Sequence, residues 1–203
     1  MVKVRKNLSG YEELMRSLRR QLHIQPELSD CEYDTQAFII KFLNGLKLDY
    51  IQPMAQTGVR GVLLVPGALE TLGFRADMDA LCIKEETNLP YASKRAGIMH
   101  ACGHDCHTSM LLGAAKILSA HRDEIHGTVK LIFQMAEEIG RKSEEYVKRG
   151  ALEGVDAQTD QVAHVAVAAR HIVHRAADVL TMGKGQLRPV LIKDVKFAVD
   201  IVL

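Results

Sequence analysis

Gly127-Thr128-Val129-Lys130-Leu131-Ile132-Phe133-Gln134-Met135-Ala136-Glu137-Glu138 is a β-branched, aromatic and aliphatic run that ends abruptly in a carboxylate pair. Such residues suit a pleated, buried surface, so the run predicts a central strand over 127–134. Glu137 and Glu138 then fall just past its C-terminal end, where open α/β sheets bind their ligands. A second run upstream, Leu72-Gly73-Phe74-Arg75-Ala76-Asp77-Met78-Asp79-Ala80-Leu81, is strand-like and breaks suddenly into two carboxylates. Carboxylates at the end of a buried strand need a partner. A metal centre or a ligating histidine would supply one.

Between the two runs lies Met99-His100-Ala101-Cys102-Gly103-His104-Asp105-Cys106-His107, with three imidazoles and two thiols within eight residues. Cys102 and His104 offer a soft sulfur and a borderline nitrogen, and Glu138 an oxygen, a mixture that suits Zn²⁺, Mn²⁺ or Co²⁺ better than Mg²⁺ or Ca²⁺. A Cys-x-His pair by itself is more often packed or solvated than ligating, and a Glu-Glu pair is usually a solvated helix end. It is the conjunction with the Asp77 strand that points to a metal site with its general base. His107 to Arg122 is rich in Leu, Ala and Met and predicts a helix buried against the sheet. The cluster sits at that helix's N-terminus, whose free amides and dipole favour a thiolate at Cys102.

Around this centre the chain alternates helices and strands. Leu8, Tyr11, Leu14, Met15, Leu18 and Leu22 have helical spacing, with Ser9 as the N-cap and Pro26 as the stop. A second helix is expected from Tyr33 to Leu46, ending near Gly45. Gly58 to Val65 and Leu69 to Ala76 read as strands joined through Pro66-Gly67 as a hairpin or tight turn. Ser143 to Leu152 predicts a helix closed by Gly154. The fold class is therefore α/β, a mixed sheet flanked by helices. Past Val155-Asp156-Ala157 the character changes, which divides the chain into 1–157 and a divergent tail, 158–203. Val162 to Leu180 fits a helix that would bring His164, His171 and His174 near one face.

The chain has 203 residues, 47% of them hydrophobic, enough for a core, and a net charge of +1 with both signs mixed. No basic face advertises nucleic acid or an anionic membrane, so small molecules or other protein chains are the expected partners. Met1 to Asn7 is positive but has no apolar segment behind it, and no apolar run reaches spanning length. The expectation is a soluble, cytoplasmic protein. The four cysteines read as reduced thiols, with Cys31, Cys82 and Cys106 as small buried or half-buried residues.

Six segments in order carry a family likeness: His23-x-x-Pro26-Glu27-Leu28-Ser29, Thr57-Gly58-Val59, Arg75 to Leu81, Met99 to His107, Leu111-Leu112-Gly113-Ala114-Ala115, and Phe133-Gln134-x-Ala136-Glu137-Glu138. Together they resemble the metal-dependent amidohydrolases of the peptidase M20 family, in the branch that holds N-acyl-amino-acid deacylases, hippurate hydrolases and auxin-conjugate hydrolases. The resemblance implies the N-terminal part of a metallo-exopeptidase-like catalytic domain and a two-metal centre. It places metal ligands at Cys102, His104 and Glu138, the general base at Glu137, and an aspartate that orients the site at Asp77. It implies hydrolysis of an N-acyl amino acid or related amide by a metal-activated water, with Glu137 passing the proton to the leaving amine.

After Asp156 the likeness stops. The family continues with a Gly-x-His ligand, for which this chain offers His164, and then with a lid and a return to the catalytic domain that are not recognisable here. A sheet so shortened would leave an edge and an apolar face uncovered, which predicts a loosely packed 158–203 and self-association. Two readings stay open: an amidohydrolase, or an inactive truncated fragment that at most binds metal or another protein. A purely structural Cys/His zinc module gives no reason for Asp77 and Glu137.

Overall fold

In the computed structural model, which describes residues 9–140 and 143–159, the chain runs α1 (Ser9–Ile24), α2 (Tyr33–Asn44), β1 (Tyr50–Met54), β2 (Gly58–Leu63), β3 (Thr71–Asp77), α3 (His104–Ala120), β4 (Thr128–Gln134), α4 (Ser143–Lys148) and β5 (Ala157–Thr159). The strands form one mixed sheet in the order β1-β2-β4-β3-β5. Strand β4 is the expected central strand, buried at every position but Lys130. It pairs antiparallel with β2 and parallel with β3.

The pleat of β4 divides the interior. Val129, Leu131 and Phe133 join Leu18, Ile39, Leu43, Phe74, Leu111, Leu112 and Ala115 in the main core, under α1, α2 and α3. Ile132 points the other way, to Met54, Tyr146 and Ala151 beneath α4. Helices α1 and α3 approach closely where Gly113 meets Met15: a Cβ on Gly113 would stand 2.5 Å from the Met15 sulfur. The glycine of the Leu-Leu-Gly-Ala-Ala segment is thus a helix-packing residue.

Two expectations about the order and bounds of the elements need correction. Pro66-Gly67 does turn the chain, with Ala68 N–H donating to Val65 O at 3.0 Å, but β2 and β3 do not pair with each other. The largely buried β4 inserts between them and pairs with both. The hairpin in the sheet is β1–β2, with Met54 opposite Gly58. Strand β1 carries Pro53 and is largely exposed, so its sequence gives no alternation; a proline is tolerated there because β1 is an edge. The third helix begins three residues earlier than its periodicity suggests, at His104. Pro26 follows the end of α1, and α2 closes at Gly45, as expected.

Cys31 and Cys82 are exposed rather than buried or half-buried, Cys106 is half-buried, and all four thiols are free. The sheet continues through β5, where Ala157 pairs with Leu72 and Thr159 with Phe74. The expected helix over 162–180, with His164, His171 and His174, lies outside the described residues. None of the described helices is long and apolar enough to cross a membrane.

Candidate metal centre

Because β3 and β4 run parallel and in register, with Asp77 opposite Gln134, their C-terminal ends open on the same side of the sheet. The chain leaves β3 through Met78-Asp79-Ala80 and leaves β4 through Met135-Ala136-Glu137-Glu138. Helix α3 starts at this same place. Gly103, with φ of +86°, makes the left-handed turn that a side chain would resist, and His104 is the first helical residue.

Cys102, His104 and Glu138 are brought together, with one donor atom of each within 4.8 Å of the others. Asp77, His104 and His107 form a second such group. His104 Nδ1 donates to Asp79 O at 2.9 Å and to Asp79 Oδ1 at 3.2 Å, which fixes the tautomer and leaves Nε2 facing the site. Around Nε2 stand Asp77 Oδ1 at 3.6 Å, Glu138 Oε1 at 3.7 Å and Glu137 Oε2 at 3.8 Å. These are too long for hydrogen bonds.

This donor set fits a cation. The buried oxygens Asp77 Oδ2 and Glu138 Oε1 have no hydrogen-bond donor among the described residues, although the Arg75 guanidinium lies 3.8 Å from the former. Burial opposes the charge on Asp77, yet His107, at 2.6 Å from Oδ1, together with His104 and Arg75 holds its carboxyl below the usual range. Burial also opposes the charge on His104, but Asp79, Asp77 and Glu138 outweigh it and raise the imidazole to about 9. Glu138, with partial burial and the charges of Glu137 and Asp77, pushes the Cys102 thiol up to about 11. The thiolate expected from the helix N-terminus is therefore not favoured by the protein alone. Three nearby carboxylates outweigh the dipole, and a divalent cation set among them reverses that sign. Cys102 is exposed, so the centre opens to solvent on its thiol side.

Several supports for the site stood out in the sequence by residue type or motif, without a role attached to them. Asp79 Oδ2 accepts from the Ser29 hydroxyl at 2.6 Å and from Glu138 N–H at 2.9 Å, so one carboxylate holds both His104 and Glu138. His23 Nδ1 lies 2.7 Å from Asp105 Oδ2 and its Nε2 3.2 Å from Glu85 Oε1, while Arg19 Nε donates to Asp105 at 3.0 Å. That network pins α1 to the first turn of α3. The polar residues of His23-x-x-Pro26-Glu27-Leu28-Ser29 are thus scaffold for a centre that lies more than fifty residues away in the chain. His107 stacks on His104, with ring centroids 5.6 Å apart. Its place in the histidine cluster was the only sign of it.

Residues 73–185 match the family model described as Peptidase family M20/M25/M40. The chain is 45% identical over 151 residues to the N-acetyl-L-cysteine deacetylase of Bacillus subtilis (strain 168), an alignment that covers 74% of this chain and 36% of that protein. It is 45% identical over 139 residues to the N-acyl-L-amino acid amidohydrolase of Geobacillus stearothermophilus, covering 68% and 38%. Among solved structures, the Bacillus subtilis YXEP protein, described as a dinuclear metal binding peptidase from the M20 family, superposes with a TM-score of 0.70 at 40% identity, over 73% of this chain and 42% of that one. The chain thus spans little more than a third of the length of these curated relatives.

Proposed function

The chain belongs to peptidase family M20/M25/M40, and from that premise we propose that it acts as a metal-dependent amidohydrolase on N-acyl amino acids or related amides, as the names of its relatives suggest. The observation that carries this reading is the convergence of Cys102, His104 and Glu138 within 4.8 Å, beside Glu137, at the C-terminal ends of two parallel strands. These three residues, with His164 as a further ligand on the family resemblance, would hold a divalent transition metal, Zn²⁺, Mn²⁺ or Co²⁺. The group of Asp77, His104 and His107 supports room for a second ion. The metal supplies Lewis-acid polarisation of the amide carbonyl and makes a neighbouring water more acidic.

Glu137 is a third exposed, close to His104 but outside the group of three. In this reading it accepts the proton of the attacking water as the C–O bond forms, then gives it to the amine nitrogen as the C–N bond breaks. Asp77, buried and held by His107, is an orienting carboxylate rather than a proton carrier. The free thiols support a reducing compartment such as the cytoplasm.

The test is release of free amino acid from N-acetyl-cysteine and N-acetyl-methionine by the zinc- or cobalt-loaded full chain. Glu137→Gln should lower the rate by about 10² or more with metal content unchanged. Metal bound with no release at all would leave a metal-binding module without turnover.

A further inference from the structure

Helix α2 is capped in an unusual way. Its N-cap residue, Glu32, makes no side-chain hydrogen bond to the helix's own amides. Glu27 does that work instead: its Oε2 accepts from Thr35 N–H at 2.7 Å and from the Thr35 hydroxyl at 2.8 Å, and its Oε1 accepts from Asp34 N–H at 3.3 Å. Glu32 is thereby released, and its fully buried carboxylate reaches across to the β4 exit. Oε1 accepts from Ala136 N–H at 2.7 Å and Oε2 from the Thr57 hydroxyl at 2.6 Å.

Ala136 has a φ of +52°. That left-handed conformation is strained for any residue with a Cβ and persists only where the surroundings enforce it. It lies directly before Glu137 and Glu138, so it sets the direction in which both carboxylates leave the sheet. The segment is held at two points, Ala136 N–H by Glu32 and Glu138 N–H by Asp79. Asp79 also binds His104, whereas Glu32 makes no hydrogen bond to Cys102, His104 or Glu138 among the described residues. Burial raises the Glu32 carboxyl above its usual range, and Glu32 forms no ion pair among the described residues. A carboxylate kept in so costly a place needs a use beyond filling space.

We infer that Glu32 is a positioning residue that locks the left-handed turn at Ala136 and thereby aims Glu137 and Glu138 at the metal centre. The aiming clause rests on the function proposed above for those two glutamates; the lock itself does not.

The full chain is compared with Glu32→Met, which fills a similar volume without an acceptor, with Glu32→Gln, which keeps an oxygen for Ala136 N–H, and with Glu32→Met combined with Ala136→Gly. Two readouts are taken: hydrogen exchange of the Ala136 amide by NMR, relative to amides of β4, and Co²⁺ affinity by optical titration. Glu32→Met should speed Ala136 exchange about tenfold, the scale of one lost hydrogen bond, and weaken Co²⁺ binding about tenfold. Glu32→Gln should restore most of both. Adding Ala136→Gly should restore part of the Co²⁺ affinity, because glycine adopts positive φ without strain. A Glu32→Met variant with a lower melting temperature but wild-type Ala136 exchange and Co²⁺ affinity overturns the inference and makes Glu32 a packing residue. A wild-type chain that takes up no Co²⁺ overturns the proposed function and the aiming clause, while Ala136 exchange still decides the lock.

Discussion

Asp79→Asn separates a support from a ligand. The buried carboxylate accepts from His104 Nδ1, Ser29 Oγ and Glu138 N–H. Asparagine has one oxygen to offer. If that oxygen keeps Ser29 at 2.6 Å and Glu138 N–H at 2.9 Å, the amide NH₂ is left facing His104 Nδ1. Two donors then meet, which favours moving the ring proton to Nε2, the atom that faces the centre. The Asp79 backbone carbonyl, 2.9 Å from Nδ1, still favours the original tautomer and limits the damage. The expected cost is that of a lost outer-shell partner, about 10- to 100-fold in metal affinity, or about 1.4–2.7 kcal/mol. Zn²⁺ titration calorimetry in a competing chelator reads this directly, with thermal unfolding recorded alongside. A variant that binds Zn²⁺ within twofold of wild type would refute the assigned role of Asp79.

Other outcomes follow from the same contacts. A Cβ at Gly58 would stand 2.4 Å from Tyr146 Cε2 and 3.0 Å from the Met54 carbonyl. Tyr146 is buried and donates to Val59 O or Phe133 O, so Gly58→Ala should destabilise by about 1–3 kcal/mol in urea unfolding through overpacking; an unchanged midpoint would contradict this. His23 is raised by its bond to Asp105, against burial and with help from Glu85. Its folded pKa lies above the unfolded value, so its contribution is fully present below about pH 6.5 and is lost as pH rises through the folded pKa. The destabilisation caused by His23→Gln should therefore be largest near pH 6 and shrink by pH 9. A gap that widens with pH would show that His23 is neutral in the fold.

Much of the centre was legible because its chemistry is local in sequence. Cys102 and His104 flank the glycine that starts α3, and Glu137 and Glu138 follow an apolar strand, so residue type and position were enough to place them together. The parallel pairing of β3 and β4 was not read from the sequence, although a helical crossover between two strands is the connection that such pairing needs. What failed was non-local. Nothing in Gly58 to Ala76 says that a later strand will wedge between its two halves, and β1 has neither alternation nor β-rich composition to announce a strand. Glu27, Ser29 and Glu32 look like an ordinary polar loop after Pro26. Their partners are at Thr35, Asp79 and Ala136, and only the folded chain brings the last two within reach. Cys102 went the other way: the helix N-terminus predicted a thiolate, but the carboxylates gathered by tertiary structure reverse the local field.

The most direct test of the central claim is X-ray absorption at the zinc edge of the zinc-loaded chain, with Cys102→Ser measured beside it. The assignment of Cys102, His104 and Glu138 predicts a mixed shell with one sulfur at about 2.3 Å and nitrogen and oxygen near 2.0–2.2 Å, and loss of the sulfur shell in the variant. A shell of nitrogen and oxygen alone in the wild-type chain, or a sulfur that survives Cys102→Ser, would contradict it.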